Sequence, residues 1–475
     1  MASQLAKFRI IAAISLFAIY LPGVISTGIW SDDYPSLLDP TSVQIHASRD
    51  GRPIYGFLLQ FMFDLTNTVS NLWLIRFFAL IGLLLLNDLV IKVLSNTRID
   101  LRVTLASVGA FSIASFQVNI HWATAFLFCW VAYFALLGYT LMMKDSRNSN
   151  FVGVLLLTVS SLSYPVLTFF ILPLVFLLSY ETDNEDKRLK KDSILAILGI
   201  ALSAFLALLI NLISLRVRGL TFNDRVSFIS ISDLPSQIFW FLSRPFILTF
   251  RGYSVESPGL IEALGGFILV NLLIITGITI KHKTFLKVLK YYALLISFTL
   301  FSMTPLFFPD QQQVDVRYVT VGSWLISYMF LSSVFLILGR ISLGGHQISR
   351  RVVTVAFVMV FFLSINLRYF SVIQPIYAKT STFISSELSS CSDQEILSGV
   401  YVLARVTEWP SKQNIGLFSQ TTDLASGWVP LNAVQIAVGE DPKLRGLNLP
   451  ISWGNSSSSG CIVDLNNFKV TKKEG

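Results

Sequence analysis

The chain has 475 residues, of which 53% are hydrophobic and only 13% charged, with a formal net charge of +8 at pH 7. Soluble domains carry roughly 25% charged residues, so the composition excludes an ordinary soluble protein and points to an integral membrane protein. The basic surplus forms no single nucleic-acid-binding face: much of it lies in short segments between apolar runs, where cytoplasmic loops collect Lys and Arg.

A helix needs about 20 apolar residues to cross a bilayer, and the first such run covers residues 8–29. Lys7 and Arg9 followed by the run Ile10 to Ile25 also have the form of a signal peptide cut after a small residue such as Ser26. The length of the run and the spans that follow favour an anchor, and either way the next segment, residues 30–70, emerges on the far side. Within it Ile54 to Leu65 is too short to span and is flanked by polar residues, which predicts a helix lying in the plane of the membrane.

Further spans are expected at 72–93, 103–118 and 122–143, the last two joined by a turn carrying Gln117, Asn119 and His121. Residues 151–180 are interrupted at Ser163-Tyr164-Pro165, because the residue before a proline resists helical geometry. Two shorter spans there keep Lys187, Arg188, Lys190 and Lys191 on the inside, as the charge rule requires. A span at 193–214 leads to a second outer segment, 215–262, with an aromatic-rich amphipathic stretch from Ile238 to Phe250. Spans at 263–280, 291–305, 319–339 and 352–373 complete an all-α polytopic membrane domain, residues 1–374, with about eleven transmembrane helices.

From residue 375 the chain becomes richer in Gly, Ser, Asn and Asp, and short β-rich runs appear at Val400 to Thr407, Ile415 to Ser419, Val434 to Val438 and Cys461 to Leu465. These predict a small extracytoplasmic α/β domain over 375–475. Cys391 and Cys461 fall within it and are expected to pair in an oxidising compartment. Cys129, in an apolar run, reads as a small packed hydrophobe.

The chain has no Walker-type phosphate loop, no His-Glu-x-x-His, no Cys-x-x-Cys and no Gly-x-Ser-x-Gly elbow. Its four scattered histidines argue against a zinc site. What remains is a concentration of charge just past the first anchor: Trp30-Ser31-Asp32-Asp33-Tyr34, then His46 and Arg49-Asp50-Gly51-Arg52-Pro53. Charges beside hydrocarbon are costly unless they act there. A carboxylate at that boundary can take a proton from an attacking hydroxyl, and arginine forks suit phosphate oxygens and the charge of a leaving phosphate. Adjacent acids are equally a common turn signal, and arginines common interfacial anchors.

This acidic loop, followed by an in-plane helix and many further spans, looks like the membrane glycosyltransferases of the GT-C superfamily. The Trp30–Tyr34 and Arg49–Pro53 motifs resemble those of the bacterial serotype-converting O-antigen glucosyltransferases. The motif resemblance covers the first 70 residues, and the remainder is similar only in architecture. It implies transfer of a sugar, glucose in that family, from a polyprenyl-phosphate donor to a lipid-linked or surface polysaccharide on the periplasmic face of the inner membrane. It further implies inversion, with Asp32 or Asp33 as base and Arg52 the match to the family's Gly-Arg element. Arg49, Arg244, Arg251 and Arg317 are chosen as further phosphate ligands by position and charge; Tyr34, His46, His121 and Tyr164 are candidates to line the cavity. The sequence leaves open whether a divalent cation, Mg or Mn, assists. A polysaccharide polymerase or ligase, and a non-enzymatic flippase of lipid-linked oligosaccharides, are the competing readings; Asp64, Asp88 and Arg76, near helix ends, read as packing partners.

Overall fold

The computed structural model describes residues 2–26, 29, 33–95, 101–144, 146–182, 186–223, 230–250, 260–306, 319–340, 350–368, 374–403, 429–441, 443–444, 449–454 and 460–465. These residues are predominantly helical. Seven helices are long and apolar enough to cross a membrane, and an eighth span results if the pair bent by 64° at 111–114 counts as one. Two shorter apolar helices cover Pro165–Glu181 and Val355–Leu367. The chain is therefore a multi-pass helical protein.

Helix α1, Ala2–Ile25, is followed by three short helices, α2 (Asp33–Leu38), α3 (Pro40–Arg49) and α4 (Pro53–Thr66). Prolines at the first helical positions of α3 and α4 fit there because those positions have no intrahelical N–H bond to lose. Asp39 caps α3 by accepting from Ser42 N at 2.9 Å. Between α3 and α4 the chain reverses through Gly51, whose φ of +82° is costly for any residue with a Cβ. Helix α4 buries Tyr55, Leu59 and Phe63 on one side and exposes Phe57, Phe61 and Leu65 on the other. That exposed apolar stripe suits a helix lying on hydrocarbon.

Helix α5, Leu72–Ser95, runs antiparallel to α1. Arg9 makes a two-pronged ion pair with Asp88 (2.5 and 2.6 Å) at one end, and Arg76, wholly buried, donates to Ser26 O at 2.9 Å at the other. Arg76 thus meets the carbonyl end of α1, where a cation is favoured by the helix dipole.

After α6 (Leu101–Ala110) and α7 (Ala114–His121) come α8 (Phe128–Met142) and α9 (Arg147–Ser163). Helices α8 and α9 approach so closely at Gly138 that a Cβ there would lie 2.7 Å from Gly153 O. Helix α9 stops at Tyr164, which is extended (φ −156°, ψ 92°) before Pro165 opens α10, Pro165–Thr168. Then follow α11 (Ile171–Thr182), α12 (Asp186–Val217), α13 (Leu234–Phe241) and α14 (Ile247–Thr249), the last two joined by a π-helical turn over Leu242–Phe246. Helices α15 (Leu260–His282), α16 (Phe285–Ser302), α17 (Thr320–Leu338) and α18 (Arg350–Arg368) complete the bundle.

At the end of the bundle shared with Arg9 and Asp88, Glu181 is buried among cations. Arg102 pairs with it through two nitrogens (3.2 and 2.6 Å) and also donates to Ser332 Oγ. Lys281 reaches the same carboxylate at 2.9 Å and the Tyr180 carbonyl at 2.6 Å, with its ammonium 3.7 Å from the Tyr180 ring centroid. Tyr328 adds a hydroxyl at 3.3 Å. Three charged side chains, from α6, α11 and α15, are tied together here, with Tyr180, Tyr328 and Ser332 around them.

The C-terminal part begins with α19, Gln374–Ser389, and α20, Asp393–Ser398, the latter opened by a reciprocal Ser392–Glu395 cap. The Ser392 N–H and hydroxyl hold the Glu395 carboxyl below the usual carboxylate range. Strands β1 (Val400–Leu403), β2 (Ile451–Trp453) and β3 (Cys461–Asp464) form a parallel sheet in the order β2-β1-β3. The run Val434 to Val438, expected as a strand, lies instead within a helix, Val429–Glu440. A five-residue apolar run does not separate the two periods by itself; here Val434 and Val438, four apart, share one buried face. The expected strand at 415–419 lies outside the described residues.

Cys391 and Cys461 are joined by a disulfide that ties the segment after α19 to β3 across 70 residues of sequence. Closing a loop of that length restricts the unfolded chain by about 4 kcal/mol on the chain-entropy model. Cys391→Ser is therefore expected to lower the unfolding midpoint of the C-terminal part, with little effect on the bundle. Limited proteolysis with mass mapping, under reducing and non-reducing conditions, checks this.

Candidate active site

The three short helices after α1 form the frame of the site. Asp33 opens α2, and its carboxylate is fully buried, accepting from Thr124 N at 2.9 Å. The carbonyl of the same Thr124 accepts from Tyr55 Oη at 2.6 Å. One peptide segment between α7 and α8 therefore links the acid of the first loop to α4. The Thr124 hydroxyl is buried without a hydrogen-bond partner.

Arg52, the residue capping α4, projects across this link. Its guanidinium carbon lies 5.6 Å from the Tyr55 ring centroid and 5.5 Å from that of Tyr164, which is within cation–π range. The two tyrosine rings meet edge-on at 6.5 Å, and Phe128 lies against Tyr164 at 4.1 Å with its ring tilted by 37°. The extended conformation forced on Tyr164 by Pro165 brings its ring to Arg52; a helical Tyr164 would continue along α9.

Arg52 also pairs with Asp50 at 2.6 Å, and Asp50 accepts from Asn223 Nδ2 at 2.5 Å. Asn223 N donates to Arg49 O at 3.1 Å, and Arg49 Nε donates to Thr221 O at 3.1 Å. The segment that follows α12, Thr221–Asn223, is thus stitched to the α3–α4 turn. The site combines a buried carboxylate with a guanidinium whose side chain is a quarter exposed and which lies over an aromatic floor. Chemically, that pairing can accept a proton at one point and steady a developing phosphate charge at another.

The remaining candidates divide into those near this group and those elsewhere. His46 is half exposed and lies 3.6 Å from Asp50. His121 is buried, with its ring 5.7 Å from that of Tyr20 and its Nε2 edge against Gly23, so it packs on α1. Tyr34 is buried and turns toward the C-terminal part, where it lines a cleft of about 10 Å³ with Thr380, Ser381, Ile384, Ala433, Ile436 and Ala437. That is roughly the space one water needs, so the C-terminal helices lie directly over α2. Asp32, Arg251 and Arg317 lie outside the described residues, as does the side chain of Arg244.

Asp50, Tyr55, Thr124 and Asn223 are the participants that sequence reasoning did not select. Asp50 stood within the quoted motif. Thr124 acts chiefly through its backbone, which no residue type announces. Among the described residues no three His, Cys, Asp or Glu side chains converge as a metal site. No catalytic step is assigned to a metal. No family model matches this sequence, and no curated protein matches it.

Proposed function

We propose that this chain is a GT-C-type membrane glycosyltransferase resembling the serotype-converting O-antigen glucosyltransferases. It moves glucose from a polyprenyl-phosphate donor to a lipid-linked or surface polysaccharide such as O-antigen. In this reading the chain crosses the bacterial inner membrane eleven times, α9, the two shorter apolar helices and the bent pair included. The site and the C-terminal α/β domain, residues 375–475, are periplasmic. The orientation is supported by Lys92, Lys144, Lys190, Lys281 and Arg340, which fall at or near helix ends on the side of the Glu181 cluster.

The observation that carries the proposal is the joining of Asp33 and Arg52 through the backbone of one residue, Thr124, and one Tyr55 side chain, at the bundle end opposite that cluster. The acceptor hydroxyl oxygen attacks the anomeric carbon as its proton passes to the carboxylate of Asp33, or of the neighbouring Asp32. The bond from that carbon to the phosphate oxygen breaks on the opposite face, and the prenyl phosphate leaves with the electron pair. Arg52, with Arg49 beside it, steadies the departing charge. A single displacement inverts the anomeric centre. The prenyl tail lies against the apolar outer surface of the helices, with the bilayer as its solvent.

The test is transfer of radiolabelled glucose from a synthetic polyprenyl-phosphate donor to lipid-linked O-antigen in proteoliposomes. Arg52→Met is expected to lower turnover by roughly 10²–10³-fold, and wild-type protein without any transfer would overturn the reading. Extension by whole repeat units would instead select a polymerase or ligase. A second reading, a flippase, is favoured by one observation: Glu181, Arg102 and Lys281 are charges packed between helices, as in many transport pathways. Movement of the lipid-linked sugar across the bilayer without a new glycosidic bond would select it.

A further inference from the structure

Asn211 lies on α12 within the span Leu189–Val217, flanked by Leu209, Ile210, Leu212 and Ile213. It is 2% exposed, and neither the oxygen nor the nitrogen of its amide has a hydrogen-bond partner. A carboxamide buried in the protein with both ends unpaired is disfavoured on two counts: an apolar side chain there would cost nothing in lost hydrogen bonds, and each bare polar atom has forfeited its water. Such a group calls for a physical explanation.

Its surroundings supply one. The amide faces the α3–α4 turn at its barest point: a Cβ on Gly51 would stand 3.7 Å from Asn211 Nδ2 and 3.9 Å from the Phe222 ring. Immediately beside Gly51 are Asp50 and Arg52, the charged pair of the candidate site. The chain over this corner, Thr221 to Asn223, is held by the hydrogen bonds of Asn223 to Arg49 and Asp50 and of Arg49 to Thr221. These are polar contacts that a polar ligand can replace.

The donor and acceptor inventory selects the ligand. A phosphate offers only acceptors and would leave the amide oxygen unpaired, whereas neighbouring sugar hydroxyls both donate and accept, and so satisfy both ends of a carboxamide. We infer that Asn211, beneath the Gly51 turn, is a specificity residue that binds hydroxyls of the transferred sugar, with the phosphate left to Arg52. This rests on the glycosyltransferase reading and deepens it: the donor's two polar parts are recognised by residues on either side of one glycine. The sugar enters as the Thr221–Asn223 strap lifts and Phe222 moves aside.

The test compares full-length wild type and Asn211→Leu in nanodiscs, using two probes, polyprenyl-phosphate glucose and the same polyprenyl phosphate without sugar. Wild type is expected to bind the sugar-bearing lipid more tightly. In Asn211→Leu that preference is expected to fall by about tenfold or more, while affinity for the sugar-free lipid and the unfolding midpoint are held or raised. Unchanged affinity for the sugar-free lipid also reports that the variant is folded. A variant that keeps the full preference would overturn the role of Asn211 and leave the glycosyltransferase reading standing. Wild type that binds both lipids equally would likewise overturn the role of Asn211, while the glycosyltransferase reading falls only if the transfer assay shows no product.

Discussion

Asp33→Asn is expected to leave the fold intact and to lower sugar transfer by roughly 10²–10⁴-fold, the usual range for removing a general base. The substitution separates chemistry from architecture because an asparagine oxygen can still accept from Thr124 N, the 2.9 Å bond that fixes α2 against the α7–α8 link. Asp33→Ala serves as the counterpart. It leaves that buried N–H unpaired, at about 1–3 kcal/mol, so it should lose stability as well as activity. Thermal unfolding followed by tryptophan fluorescence, alongside the transfer assay, distinguishes the two. Should Asp33→Asn turn over at the wild-type rate, the base is not Asp33, and the same experiment on Asp32 becomes decisive for the remaining acid of the motif.

The second large effect lies at the opposite end of the bundle. Glu181→Ala would leave Arg102 and Lys281 facing each other with no anion between them, their side chains only 13% and 17% exposed. Removing one partner of a buried ion cluster typically costs about 3–5 kcal/mol, and the variant is expected to unfold at a much lower temperature in detergent. Replacing all three together, Glu181→Leu with Arg102→Met and Lys281→Met, removes the desolvated charges along with their attraction. That triple variant is expected to be near wild type in stability or above it. It also separates the two functional readings: a cluster that only clamps helices can be replaced with transfer activity kept, whereas a cluster on a transport path cannot be replaced without loss of transport.

The break at Tyr164 shows how far local chemistry reached. Pro165 prescribes an extended residue before it, and that much is written in three letters of sequence. That the extended Tyr164 then slides beneath Arg52, more than a hundred residues earlier, is a consequence of packing. The same division holds in the first loop. Proline positions, the Asp39 cap and Gly51 specify three short helices and a tight reversal, yet the Arg49–Thr221 and Asp50–Asn223 bonds join segments some 170 residues apart. Val434 to Val438 marks the limit in the other direction: a short apolar run fits either period, and its surroundings decided for helix.

The sequence by itself determined that this is a multi-pass helical protein with most of its charges gathered at or beyond the ends of the apolar runs, because the transfer of residues to hydrocarbon is nearly additive along the chain and needs no knowledge of neighbours. It also marked Asp33, Arg52 and the two C-terminal cysteines as residues of interest, since ionisable and thiol groups announce their chemistry by type. Only the tertiary structure decided that His121 packs against α1, that Thr124 joins the acid to the aromatic floor, and that Asn211 stands unpaired beneath Gly51. Those are facts of distance between residues far apart in the chain. Hydrogen bonding acts over about 3 Å, so which groups meet is settled by how the helices pack.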